Sequence, residues 1–351
     1  MLVLIGIIMI FSASSYVAGT RSEYNYDTFL FLKKQSFAVL LGTLLMYFMS
    51  NFNYRQLKKF SFLFYIIANS LLVFVLLFGV VKKGAKRWIN LPLFGSFQPS
   101  ELAKVAIILF ISFLISKNKD ILKNFLGHII CAIFVFITVI LIALGNLSTA
   151  IIVTLIGSGI IFIASPFTTI FIIIGFTGIC SLVSYIAFFA KNFRGARFAA
   201  WLNPFSDPTG TGYQIIQSLY AVASGGIFGL GLGRSRQKLG FIPEAHNDII
   251  FSIICEELGF FGALIVLLLF SILIWRGIHV ALNSTDLFGT LVASGITIMI
   301  ASQAIINISV VTNSIPNTGV PLPFISYGGT SVAIVMMLVG ILLNISRYSK
   351  K

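Results

Sequence analysis

Charge is scarce in this chain. Only 10% of its 351 residues are charged, and the acidic ones number ten. A soluble globular domain carries about 25% charged residues. With 58% hydrophobic residues and a mean hydropathy of +1.02, a water-soluble fold would expose large apolar patches and aggregate. Cysteine is scarce too. Cys131, Cys180 and Cys255 lie in or beside apolar runs and form no C-x-x-C, so they read as small buried hydrophobes rather than as a disulfide framework or thiolate metal site. The three histidines, His128, His246 and His279, are too widely separated for a metal motif. No period of 20–50 residues marks a repeat array, so the chain reads as one domain, 1–351.

Long apolar runs are abundant. A membrane-crossing helix needs about 20 mostly apolar residues, so about 204 of them suffice for roughly ten spans. The expected fold is an all-α polytopic membrane protein of about ten transmembrane helices. The spans lie near 1–18, 35–50, 60–81, 101–117, 126–144, 147–165, 168–190, 252–275, 287–311 and 329–346. One connection is long, 191–251, between spans 7 and 8. Connections of that length are usually functional or disordered. Its apolar stretches Tyr213–Ala223 and Ile249–Ile254 predict an ordered segment resting on the membrane surface. The start, MLVLIGIIMIF, has no basic leader and no A-x-A cleavage site, so the first span is expected to be retained. Its missing polar leader suggests a truncated chain or a late start codon.

The formal net charge is +14. In a soluble protein such a balance often marks nucleic-acid binding. Here the basic residues lie between spans, so phosphate-bearing lipids are the expected anionic partners and nucleic acid is not. Lysine and arginine normally accumulate on the cytoplasmic side. With ten spans, the loops on the side of the termini hold ten basic residues and the opposite side holds thirteen. Ten of those thirteen fall in two stretches, 82–87 and 191–238. A bias that does not follow topology needs another cause, and an anionic ligand is the direct one.

Four stretches carry chemistry. KKGAKRWINLPLFGSFQPSELAK, 82–104, reads as a loop entering a helix, with Ser100 as N-cap and Glu101 in the first turn. Glu101 and Lys104 share a helix face at i,i+3, either as a surface salt bridge or as the wall of a polar cavity. Trp88, beside Arg87, suits an interfacial anchor as well as a site. In RGARFAAWLNPFSDPTGTGYQIIQS, 194–218, Arg194 and Arg197 suit either headgroup contacts or a pyrophosphate clamp. GLGLGRSRQKLGFIPEAHNDIIFSIICEELGFFG, 229–262, brings Arg234, Arg236 and Lys238 ahead of Glu244, His246 and Asp248, then Glu256 and Glu257 on an apolar helix. Its G-x-G-x-G piece is weak evidence for a nucleotide site because no β-α-β context surrounds it. Asp248 can either cap the following helix or act as a general base. NSIPNTGVPLPFISYGGTS, 313–331, is a rigid non-helical entry to the last span, and such backbone survives near lipid only where it is buried or lines a cavity.

Taken together these stretches resemble the SEDS family of bacterial cell-wall polymerases (FtsW, RodA, SpoVE). The likeness runs from SASS (12–15) through RWI (87–89), QPSELAK (98–104), NPFSDPTGTGYQ (203–214), GLGLGRSRQK (229–238), PEAHND (243–248) and EELGFFG (256–262) to PFISYGGTS (323–331). It is nearer the FtsW/SpoVE branch than RodA. The chain departs from the family pattern at Gly145-Asn146-Leu147-Ser148-Thr149, which lacks a proline, and at Asn247-Asp248-Ile249, where Thr-Asp-Phe is common. The family's N-terminal cytoplasmic segment is absent from it.

The resemblance implies a peptidoglycan glycosyltransferase that polymerises lipid II on the outer face of the bacterial cytoplasmic membrane, with both termini cytoplasmic and the loop 191–251 outside. The implied setting is septal wall synthesis during division, the alternatives being an elongation- or sporulation-specific polymerase or a lipid II flippase. Implied partners are lipid II, the nascent glycan, a class B penicillin-binding protein and other divisome membrane proteins. The expected general base is Asp248. The expected substrate-binding residues are Arg87, Trp88, Gln98, Glu101, Lys104, Arg194, Arg197, Gln237, Lys238, Glu244, His246, Ser326 and Tyr327. Arg87, Arg194, Arg197 and Lys238 are candidates to stabilise the leaving pyrophosphate, with a divalent cation, Mg or Mn, as an optional helper and no residue assigned to it. A flippase would instead need a charged pathway, for which Glu101, Lys104, Glu256 and Glu257 are the candidates.

Overall fold

The computed structural model describes residues 1–82, 85–91, 95–167 and 193–349. Among them nine helices are long and apolar enough to cross a membrane. They are α1 (Leu2–Thr20), α2 (Leu30–Asn51), α3 (Leu57–Phe78), α4 (Pro99–Lys117), α5 (Phe125–Ala143), α6 (Leu147–Ala164), α9 (Ile250–Leu282), α10 (Leu287–Val311) and α11 (Gly329–Arg347). The expected span at 168–190 lies outside the described residues. Two shorter helices, α7 (Phe193–Leu202) and α8 (Tyr213–Ser224), occupy the long connection. The second coincides with the apolar stretch expected at 213–223.

The expectation of helices alone misses a small sheet. Three antiparallel strands, β1 (Val80–Lys82), β2 (Ala85–Leu91) and β3 (Gly95–Phe97), precede α4 in the order β1-β2-β3. Val80 pairs with Trp88 and Ile89 with Phe97. Strands this short are stable only when packed on something else, and β2 runs alongside α3 and α4. Of the glycines and prolines that suggested a loop, Gly95 opens β3 and Pro99 opens α4, while Gly84 and Pro92 lie outside the described residues.

The chain divides into two compact units, each assembled from separate stretches: Met1–Gln35 with Phe167–Phe270 and Ala304–Tyr327, and Ser36–Pro166 with Ser271–Gln303 and Gly328–Lys351. In the second unit α4 is enclosed along most of its length, from Pro99 to Ser112. Its partners supply polar fastenings where the apolar packing gives no register. Tyr65 of α3 donates to the Phe134 carbonyl of α5 at 2.9 Å. Asn344 of α11 accepts from the Tyr54 amide at 3.0 Å and donates to the Ser50 carbonyl at 2.8 Å, which pins the α2–α3 turn. Asp286 takes the Tyr54 hydroxyl and the Arg55 guanidinium at 2.9 and 3.0 Å.

In the first unit the decisive feature is a break in α9. Gly259 sits at φ 65°, ψ −164°, a conformation that a side chain makes costly. Helical hydrogen bonding stops there and four backbone groups pair sideways instead. The Phe260 and Phe261 amides donate to Gly226 and Ile227, and the Glu256 and Glu257 carbonyls accept from Leu230 and Gly231 at 2.9 and 3.0 Å. Irregular backbone inside a membrane span must be satisfied by protein, and segment 226–231 supplies the partners.

Candidate active site

The first unit gathers three of the sequence motifs around Asp248. The turn 243–248 is tight: Glu244 has φ 52°, its carbonyl takes the Asn247 amide at 2.9 Å, and its carboxylate takes the Asn247 side-chain amide at 2.6 Å. His246 is buried, with its ring 4.3 Å from that of Phe31 and 5.5 Å from that of Tyr327. The Tyr327 amide donates to the His246 carbonyl at 2.9 Å, which joins segment 243–248 to segment 312–327. Burial pushes the Tyr327 phenol up from its ordinary value. Ser326 is buried too, and its hydroxyl accepts from the Leu322 amide at 2.8 Å. Ser326 and His246 therefore shape the walls of this region.

Asp248 itself is half-buried. Helix α9 begins at Ile250, so Ile249 rather than Asp248 occupies the flanking cap position. The carboxylate faces Gly319, where a Cβ would lie 3.5 Å from Oδ2, and Gly319 holds φ +69°. The Gly319 amide donates to Asn317 Oδ1 at 3.2 Å, and Asn317 Nδ2 donates to Gln214 of α8 at 3.1 Å. The Asp248 carbonyl accepts from Asn307 Nδ2 at 2.6 Å. Asn307, Asn317, Gly319 and Gln214 were not among the expected site residues. An asparagine inside the apolar run 287–311 was the available signal, because polar groups within a span are costly unless used.

The other carboxylates of this unit are engaged differently. Glu257 accepts from Ser12 Oγ at 2.7 and 2.8 Å, from Lys238 Nζ at 2.7 Å and from the Gly233 and Ser235 amides at 3.0 and 3.3 Å. Glu256 accepts from the Ser235 hydroxyl and from the Arg236 and Gln237 amides. Lys238 also donates to Ser12 Oγ at 2.8 Å and is 5% exposed. The expected role of Lys238 was charge stabilisation, but the structure commits its ammonium to Glu257. Gln237 is half-buried in the same loop. Glu256 and Glu257 thus act as anchors for residues 230–238, which is not the arrangement of a charged transport pathway.

The second unit brings together two further motif pieces. Lys104 Nζ lies 2.8 Å from Glu101 Oε1, and Ser331 at the start of α11 donates to Glu101 Oε2 at 2.9 Å. Lys104 and Glu101 are 1% and 4% exposed, so the pair is internal rather than a surface salt bridge. The expected N-cap was Ser100. The observed cap position is Gln98, because Pro99 takes the first helical position, where its missing N–H costs nothing. Arg87 Nε donates to the Gly145 carbonyl, so the meander is tied to the α5–α6 turn. Asn146 caps α6 by accepting from the Thr149 amide, which accounts locally for the segment that lacks the family's proline. Arg87, Gln98, Ser100 and Asn146 line a cavity of about 20 Å³. Trp88 is half-buried. Arg194 and Arg197 fall on α7, and their side chains lie outside the described residues.

Downstream of α7, Asp207 organises the turn into α8. It accepts from the Thr211 amide at 2.7 Å, the Thr211 hydroxyl at 3.0 Å and the Gly210 amide at 3.1 Å. These donors, the Thr211 amide first, hold its carboxyl below the usual value. Among the described residues no group of three His, Cys, Asp or Glu side chains is placed to hold a metal ion.

Comparison with known proteins agrees across the whole chain. The family model described as cell cycle protein, for FtsW, RodA and SpoVE, matches residues 1–351. Stage V sporulation protein E of Bacillus subtilis is 42% identical over 100% of this chain and 95% of its own length. The probable peptidoglycan glycosyltransferase FtsW of Geobacter sp. strain M18 is 40% identical over 97% and 92%. A chain from a structure of a peptidoglycan synthase complex, described as coordinating polymerisation and crosslinking, superposes with a TM-score of 0.78 at 28% identity over 99% of this chain and 96% of that one. Thermus thermophilus RodA shares the fold with a TM-score of 0.70 at 24% identity, over 99% and 96%.

Proposed function

This chain belongs to the cell cycle protein family of FtsW, RodA and SpoVE and is a multi-pass peptidoglycan glycosyltransferase; from there we propose that Asp248 is its general base. The observation that carries the assignment is the position of Asp248. It is half-buried where the turn 243–248 meets segment 313–327, and its carboxylate faces Gly319, whose missing side chain keeps that face uncovered.

The substrate is read as lipid II, a disaccharide-pentapeptide on undecaprenyl pyrophosphate. Asp248 takes the proton from the acceptor sugar's 4-hydroxyl as that oxygen attacks the donor's anomeric carbon. The new C1–O4 bond forms as the C1–O bond to the pyrophosphate breaks, and the electron pair leaves with undecaprenyl pyrophosphate. Attack opposite the leaving group turns an α-linked donor into a β-1,4 product. Pyrophosphate is already a good leaving group, so a second carboxylate acting as acid is unnecessary, in contrast to glycoside hydrolysis. The developing phosphate charge calls for cations. Arg194 and Arg197 are assigned to it; Arg87 supports the meander from the other unit, and Lys238 is reassigned to the Glu257 anchor.

The site is read as extracytoplasmic and both termini as cytoplasmic, since the lipid II sugars are used outside. A class B penicillin-binding protein is the expected partner, in keeping with the likeness to a chain of a synthase complex that coordinates polymerisation and crosslinking. Septal synthesis in growing cells is the favoured setting. The 42% identity to a sporulation protein favours a second setting, the spore envelope. A fluorescent fusion absent from vegetative septa and present only in sporulating cells would decide for the second.

The base assignment is tested by Asp248→Asn in a purified lipid II polymerisation assay. General-base contributions are about 10²–10⁴-fold, so the variant should fold, bind lipid II and lose at least 100-fold in turnover. Wild-type polymerisation by that variant would end the assignment.

A further inference from the structure

We propose that Asn307 is a positioning residue for Asp248, an inference that rests on the reading of Asp248 as the base. Asn307 lies in the last part of α10 and is 1% exposed. An amide enclosed in an apolar span is costly unless its groups are used. It gives its two donor hydrogens to two backbone carbonyls, Asp248 at 2.6 Å and Val320 at 2.8 Å. Carbonyls on both sides require the nitrogen to point there, which fixes the amide's orientation. Its Oδ1 is buried and accepts no hydrogen bond from the described groups, so the side chain is placed for its donors.

The geometry gives this strap a consequence at the carboxylate. One donor holds the residue that carries the carboxylate. The other holds Val320, the neighbour of Gly319, which the carboxylate faces. One side chain therefore sets both the position of Asp248 and the position of the wall opposite it. A base must lie within hydrogen-bond reach of the proton it removes, and a misplacement of about 1 Å can cost about 100-fold. Asn344 supplies a natural control in the other unit. It also straps two backbone groups, accepting from the Tyr54 amide and donating to the Ser50 carbonyl, in a region to which no catalytic role is assigned.

The experiment uses the full chain in detergent with lipid II and measures kcat, KM and thermal unfolding. Asn307→Asp keeps the size and exchanges the donors for an oxygen; Asn307→Leu removes both bonds, and having two variants keeps the test readable if one fails to fold. The expected result is a 10- to 100-fold fall in kcat, with KM for lipid II within about twofold. Asn344→Leu should lower the unfolding temperature and leave kcat of the folded fraction unchanged. Asn307→Leu should also cost much less in an Asp248→Glu background, where the carboxylate is already displaced, than in the wild type. An equal fold-loss in both backgrounds, or wild-type kcat in a folded Asn307 variant, would overturn the positioning role and leave the base assignment standing. Wild-type turnover by Asp248→Asn would remove the base assignment and this inference with it.

Discussion

Among the described residues are two enclosed lysine–glutamate pairs of nearly equal length, 2.8 Å for Lys104–Glu101 and 2.7 Å for Lys238–Glu257, and they are built in opposite ways. The first is local: both residues sit on α4, one turn apart, and the Ser331 hydroxyl joins Glu101 from α11. The second is assembled from three distant stretches, with Ser12 of α1, Lys238 of the long connection and Glu257 of α9 meeting around one carboxylate that also caps two backbone amides. A helix makes the first pair almost unaided, whereas only the completed fold makes the second. A local pair can be exchanged for apolar residues; a distributed one cannot, because backbone depends on it.

Substitutions can break that contrast. The largest effect is expected for Lys238→Met, which leaves Glu257 enclosed without its cation and should cost about 3–5 kcal/mol of stability, read as detergent thermal unfolding. Adding Glu257→Leu should not restore stability, because the Gly233 and Ser235 amides then lose their acceptor. Lys104→Met should cost less, about 1.5–3 kcal/mol, since Glu101 keeps the Ser331 hydrogen bond. Here the paired change Glu101→Leu with Lys104→Met should recover most of the loss, as apolar replacement of a buried pair often does. Recovery by both double variants, or by neither, would erase the distinction.

The smallest effect sharpens the comparison from outside, at exposed Asp207. Its carboxyl is held below 3.8 by the Thr211 and Gly210 donors. The turn's stabilisation is therefore present above 3.8 and is lost as pH falls through the lower folded value. Hydrogen exchange in a peptide covering 207–214, corrected for intrinsic rate, should quicken only below pH 3.8. Quickening already at pH 5 would show that these donors do not hold the carboxylate.

The same local–distant division explains what was legible in the sequence. Apolar runs reported the spans because each is a local property, and the i,i+3 spacing of Glu101 and Lys104 reported their pairing. Gln98 displaced Ser100 as the cap because a proline's preference for the first helical position outweighs a serine's preference for capping. The strands within 80–97 were hidden because the glycines and prolines scattered through that stretch of sequence read as a loop. Glu256 and Glu257 looked like membrane charges in search of a function, since nothing local to them reveals that 230–238 would fold back onto them. Asp248 was a candidate by type and by resemblance, whereas Asn307 and Gly319 become its neighbours only through tertiary structure.

The break at Gly259 also orders events during biogenesis. Residues 226–231 leave the ribosome before the stretch 256–261 that will complete their hydrogen bonding. Until α9 has been made, the earlier segment has no partner able to replace water, and lipid would be a hostile place for it. Its backbone pairing with the interrupted helix can be completed only once both stretches exist, so the two must fold together. A single achiral residue thus couples the seating of a connecting segment to the shape of the span that follows it.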